Sequence, residues 1–213
     1  IGALGLEPFA ALLVVMALAS VAALVGARMA GQGLAIGILA GGATAICGAS
    51  AALALYGVVG RERVGQAQFT LTLVVVSIAS ALAMTIYPEL ARLAHLGARQ
   101  AGFLTGAAIH DVAQSIGGGY AVSNAAGAAA TVVKLTRVAL LGPLVALAAV
   151  AIERFDPRGK AASPWKALAL PPFILAFLAL VVGHSLEHVP DYIGSHALLM
   201  SKGLLLLSVT ATA

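Results

Sequence analysis

Long apolar stretches separated by short polar ones set the pattern of this chain. Residues 9–27 run without a charge and end at Arg28, long enough for a helix to cross a bilayer core. Residues 34–59 form a second apolar stretch. Gly37, Gly41, Gly42, Gly48 and Gly57 punctuate it, and Cys47-Gly48-Ala49-Ser50 lies at its centre. Small residues there suit close helix packing or a discontinuous helix whose free backbone groups face a solute, and spacing leaves both open. The polar loop Arg61-Glu62-Arg63 precedes a plain span at 67–87, closed by Pro88. Its Ser and Thr residues can bond to carbonyls of their own helix and need no further role. Residues 89–99 are mixed and suit the interface. Residues 101–119 are short for a span and reach the far side only with their last glycines. Ser123-Asn124 then offers an N-cap to a helix over 124–152, with a kink at Pro143. The hydrophilic loop from Glu153 to Lys160 precedes apolar segments at 164–184 and 195–213. The pattern predicts seven spans.

Composition agrees. The chain is 61% hydrophobic and 9% charged, with mean hydropathy +1.03, whereas soluble domains carry about 25% charged residues. The expected class is an all-α polytopic membrane protein forming a single transmembrane domain over 1–213. The net charge of +4 comes from scattered loop residues without interleaved aromatics, which argues against a nucleic-acid partner and for a topology signal. Seven spans put Arg28, Arg92, Arg99, Arg154, Arg158 and Lys160 on one side and Arg61 and Arg63 on the other. By the positive-inside rule the first side is cytoplasmic and the visible N-terminus lies outside. Cys47 is the single cysteine, which excludes an intrachain disulfide. The start at Ile1 and the apolar end at Ala213 suggest a chain truncated at both ends.

Candidate chemistry gathers in 102–143. His110 and Asp111 interrupt an apolar segment, Gln114 and Ser115 follow, and Gly117-Gly118-Gly119 predicts a backbone break. Ionisable groups at membrane depth are costly and point to function. Lys134 and Arg137 share one face of the next helix. At helical rise His110 lies roughly 13 Å deep, Lys134 roughly 15 Å and Cys47 roughly 20 Å, close to the bilayer centre where carriers hold solutes. Blander roles stand beside these. His110 and Asp111 can tie helices together, Arg137 can snorkel to the surface, and the three glycines can form a plain loop. His184 and His188 suit an outer-interface position. They lack a clear third ligand for a metal, and Trp165 suits the cytoplasmic boundary. No cofactor motif or paired nucleophile is present, so neither an enzyme nor a resident metal is expected.

The segments ICGASAALA (46–54), GAAIHDVAQSIGGG (106–119) and AATVVKLTRVALLGPL (129–144), with PPFILAFL at 171–178, resemble the signature segments of the YeiH-like sulfate exporter family of bacterial inner-membrane proteins. Asp111 stands where an acidic residue, often Glu, is usual, and the glycine triplet replaces a more Ala-rich run. The resemblance implies an inverted-repeat transporter fold with a broken crossover helix in each repeat, one at Cys47-Gly48-Ala49-Ser50 and one beginning near Lys202-Gly203. Residues 1–99 would then end the first repeat and 100–213 form most of the second. It also implies secondary transport of a small inorganic or sulfur-containing anion such as sulfate. Cys47, Gly48, Ala49, Ser50, His110, Gln114, Lys134 and Arg137 would bind substrate, and His110 and Asp111 would couple transport to H+ or Na+. The alternatives are a cation/proton antiporter using Asp111 as its ion carboxylate, and a non-transporting membrane binding module. Assembly as a homo-oligomer stays open.

Overall fold

The computed structural model describes residues 5–155 and Met200, and the chain divides into two compact units, 1–169 and 170–213. The expected spans at 164–184 and 195–213, the His184/His188 cluster, Trp165 and the crossover near Lys202 lie outside the described residues. In the first unit those residues form eight helices: α1 (Leu6–Met29), α2 (Leu34–Ala45), α3 (Ala49–Val59), α4 (Gln66–Leu93), α5 (Ala98–Ala108), α6 (Val112–Val122), α7 (Asn124–Ala139) and α8 (Leu141–Phe155). The all-helical membrane architecture predicted above holds.

Three of the five predicted segments in this region form helices long and apolar enough to span: α1, α4 and the α7–α8 pair. Much of α1 faces outward with apolar side chains, among them Leu13, Val14, Leu18, Val21 and Val25, and α4 does the same with Leu71, Val74, Val75, Ile78 and Leu82. Such surfaces suit lipid or further protein, not water. Pro88 does not end α4, which continues to Leu93 with Pro88 buried inside it. Pro143 does act as predicted. Its ring cannot bond the carbonyl four residues back, and α7 stops at that residue, Ala139, before α8 begins at Leu141.

The other two segments do not cross. Were α2 and α3 collinear, Gly42 and Leu55 would stand roughly 20 Å apart. A Cβ on Gly42 would instead lie 2.1 Å from Leu55 Cδ1. Gln68 at the start of α4 donates to Gln32 just before α2 at 3.0 Å, so both ends of the pair lie on one side. Residues 34–59 are a re-entrant hairpin. Residues 98–122 form a second one, entering from the opposite side. Ser115 Oγ on α6 donates to Thr105 O on α5 at 3.1 Å. A Cβ on Gly102 would meet Ala126 O at 2.5 Å, and one on Gly119 would meet the same atom at 3.0 Å. Both arms therefore reach the level where α7 begins.

The turn of the second hairpin is not at the glycine triplet. Gly117, Gly118 and Gly119 sit inside α6, and the backbone opens at Ile109-His110-Asp111. The glycines serve close packing: a Cβ on Gly118 would lie 2.8 Å from Ile109 Cδ1, and one on Gly119 2.7 Å from Ala130 Cβ. Asp111 starts α6 because its carboxylate accepts Gln114 N–H at 3.0 Å. Ser123 caps α7 as predicted, accepting from Ala126 N at 3.1 Å.

An internal repeat underlies this layout. Ala27-Arg28-Met29-Ala30-Gly31-Gln32-Gly33 returns as Ala91-Arg92-Leu93-Ala94-His95-Leu96-Gly97. Both copies close their helix with the same Schellman geometry: Gln32 N–H bonds Ala27 O at 2.8 Å and Leu96 N–H bonds Ala91 O at 2.9 Å. Gly31 has φ 68° and its counterpart His95 φ 51°. The repeat unit is one crossing plus one hairpin, α1–α3 and then α4–α6, in inverted orientation. The two copies join between Val59 and Gln66. Because the hairpins do not cross, Arg28, Arg61, Arg63 and Arg154 share one side while Arg92 and Arg99 lie on the other, which corrects the predicted grouping.

Candidate functional site

The two hairpin turns, 46–48 and 109–111, meet inside the unit, and α7 holds them together. Helices end with carbonyls that lack partners and carry partial negative charge, and α2 and α5 both end here. Lys134 Nζ donates to Ile46 O at 3.0 Å, to Ile109 O at 2.8 Å and to His110 O. Its three protons are thereby matched. Ile46 and Ile109 each end an Ala-Ile pair at the tip of their hairpin, so one ammonium serves equivalent carbonyls of the two repeats. Arg137 takes the next turn down. Nε donates to Ala45 O at 2.9 Å, Nη1 to Ala107 O at 2.7 Å and Gly106 O at 3.1 Å, and Nη2 to Ala45 O at 2.6 Å and Thr44 O at 2.9 Å. Lys134 and Arg137 are 0% and 2% exposed. Arg137 therefore does not snorkel; the carbonyl cluster offers its fork more than the surface does.

Close backbone approach makes this reach possible. Gly102 and Gly106 face α7, where a Cβ on Gly106 would lie 2.8 Å from Val133 Cβ and 2.9 Å from Ala130 O. A small residue every fourth position lets two helices touch along their backbones.

The remaining predicted residues sit on the other side of the tips. Cys47 is buried, and Ser50 Oγ donates to its Sγ at 2.9 Å. Gly48, with φ 67°, starts α3. A Cβ there would stand 3.3 Å from Val76 Cγ1 and 3.7 Å from His110 Cβ, in a backbone conformation that favours glycine. Ala49 and Ser50 are exposed, while His110 and Asp111 are half-buried. His110 Nδ1 lies 3.2 Å from Thr44 O across the hairpin boundary. Gln114 is buried on α6. Thus Cys47, Gly48, Ala49, Ser50, His110 and Asp111 are brought to one junction, with Lys134 and Arg137 behind it donating to backbone.

The charge balance of this junction is positive. Among the described residues it holds two buried cations and one carboxylate, Asp111, which makes no ion pair; the ion pair among them is Arg92–Glu89, at a surface. The N-termini of α3 and α6 add partial positive charge. Among the described residues no group of three His, Cys, Asp or Glu could hold a metal.

The whole chain, residues 1–213, matches the family described as Conserved hypothetical protein 698. The chain belongs to this family. Curated relatives are membrane proteins of the same kind. The UPF0324 membrane protein TauZ of Paracoccus denitrificans is 38% identical over 192 residues, covering 89% of this chain and 56% of that protein. A UPF0324 membrane protein of Chlorobaculum tepidum is 37% identical over 190 residues, covering 89% and 52%. The chain thus spans about half the length of the curated relatives it matches. No solved structure matches it.

Three contributors to the junction carry no sequence signal of that role in this family member. By sequence Ser80 suits a bond within its own helix. It is 1% exposed and accepts the Asp111 N–H at 2.8 Å, fixing the second turn from α4. Thr44 and Ala45 supply carbonyls to Arg137. Asp111-x-x-Gln114 is a helix-start pattern and could have placed the break.

Proposed function

We propose that the full-length protein is a secondary active transporter of a small inorganic or sulfur-containing anion such as sulfate, coupled to H+ or Na+. One observation carries this reading. Two re-entrant hairpins from opposite sides meet at their tips over a buried pair of cations, with Asp111 the one carboxylate beside them among the described residues. A solute at such a junction is a short distance from either side. The surplus positive charge favours an anion. The resemblance to the YeiH-like sulfate exporter segments supports the same substrate class.

The site is the open face of the tips, with Ala49, Ser50 and His110. Lys134 and Arg137 contribute their field from behind, since their protons go to carbonyls. Four arginines on the Gln32 side against two on the other favour a cytoplasmic Gln32 side, with α1 starting outside, in a bacterial inner membrane. Full-length protein in vesicles should exchange labelled sulfate, sulfite or thiosulfate. Failure to bind or move any of these, or chloride, refutes the reading. A second reading, a cation/proton antiporter, rests on Asp111 as the one carboxylate at the junction among the described residues. Asp111→Asn separates the two: it abolishes ion binding in an antiporter and leaves anion binding in place in an anion carrier.

A further inference from the structure

We propose that His110 is the proton carrier of this transporter, taking its proton on Nε2 at the open side of the ring together with the anion. This deepens, and rests on, the anion reading above. The argument begins with what else could titrate at the junction. From α7, Lys134 and Arg137 give their protons to carbonyls of both hairpins. From the first turn, Cys47 Sγ accepts from Ser50 Oγ. Beside His110, Asp111 Oδ1 holds the first turn of α6. Lys134 and Arg137 release a proton only by giving up contacts that shape the turns. A Cys47 thiolate would repel an anion. Asp111, whose other oxygen can take a proton with the cap intact, is separated from His110 by substitution.

His110 is differently placed. Its Nδ1 faces Thr44 O at 3.2 Å. A carbonyl only accepts, so Nδ1 carries hydrogen and Nε2 holds the basic lone pair. Nε2 makes no hydrogen bond among the described residues, and the ring is half-buried. Protonation there leaves the bond to Thr44 intact. It also adds a third positive charge beside Lys134 and Arg137, with Asp111 the one opposing charge among the described residues. An anion against the open edge of the ring offsets that charge and receives Nε2–H as a donor. Proton and anion thus favour one another's binding, and by linkage the effect is mutual. The step moves one proton from water to Nε2 and back to water on release, with no other bond made or broken.

The test uses full-length protein, with sulfate as probe, by calorimetric titration in buffers of different ionisation enthalpy. Wild type should take up about one proton per sulfate, with binding strengthened as pH falls. His110→Asn places an amide where Nδ1–H was and removes the base. It should keep its melting temperature, take up no proton, and bind sulfate roughly tenfold more weakly at acidic pH. Asp111→Asn should keep the proton uptake. Sulfate binding by wild type without proton uptake, uptake that persists in His110→Asn, or uptake lost in Asp111→Asn overturns the assignment. Absence of binding by sulfate, sulfite, thiosulfate and chloride overturns the anion reading and this proposal with it.

Discussion

Replacing Lys134 by methionine keeps the length of the side chain and removes its three donors. The carbonyls of Ile46, Ile109 and His110 then lose their shared partner in a place that water does not reach, since Lys134 is 0% exposed. A hydrogen bond to a charged group contributes about 1.5–3 kcal/mol, so three of them contribute about 5–9 kcal/mol. Two gains oppose this loss. The ammonium no longer has to be desolvated, and Arg137 loses a like charge one turn away. A buried charge with its partners in place is close to balanced, while orphaned carbonyls cost about 1–3 kcal/mol each. The net loss is therefore about 3–9 kcal/mol, concentrated at the two tips. Thermal unfolding of full-length protein should fall by on the order of 10 °C. Amide exchange should quicken at residues 46–48 and 109–111 together while the middle of α4 stays protected. Arg154→Met, on an exposed residue at the end of α8, controls for charge removal alone. Unchanged stability and unchanged exchange at both tips would refute the idea that this ammonium joins the hairpins.

Other outcomes follow from the same geometry. Gly106→Ala puts a Cβ 2.8 Å from Val133 Cβ and 2.9 Å from Ala130 O; it should destabilise by about 1–3 kcal/mol, whereas Gly57→Ala, with nothing within 4 Å, should stabilise α3 by about 0.5–1 kcal/mol, and equal melting temperatures for the two would contradict the packing argument. His95→Gly relieves a left-handed φ of 51° and should raise stability by about 1 kcal/mol, with a lower melting temperature counting against strain there. In a Cys47→Ala background, single cysteines at Gln32 and Gln68 should react with an impermeant thiol reagent from one side of the membrane, and cysteines at Arg99 and Asn124 from the other. If 34–59 crossed the bilayer, Gln32 and Gln68 would react from opposite sides.

How far the sequence reveals this arrangement depends on what each signal measures. Hydropathy measures burial in lipid, and α1, α4 and α7 with α8 are long enough to show it directly. It does not distinguish one long crossing from two half-length helices folded back on each other, because both strings are equally apolar. The 34–59 and 101–119 stretches therefore read as crossings, which puts every arginine between them on the wrong side. Composition at the turns misled in a second way. Three adjacent glycines resemble a break, but on α6 they clear space for α7, while the break is made by one carboxylate accepting Gln114 N–H. The functional candidates were legible as costly residues at shared depth, and His110, Asp111, Cys47, Lys134 and Arg137 do converge. Their orientation was not legible. A cation in apolar sequence is as consistent with a ligand donor as with a helix cap, and only the positions of seven backbone carbonyls decide between them. The returning Ala-Arg-x-Ala-x-x-Gly segment carried that information. A repeat of crossing and loop with the same helix ending implies two turns of the same kind, and two turns whose helices end in the membrane require positive charge between them. Lys134 and Arg137 are the cations within the apolar 124–152 stretch, so their role as the link between repeats follows from the repeat itself.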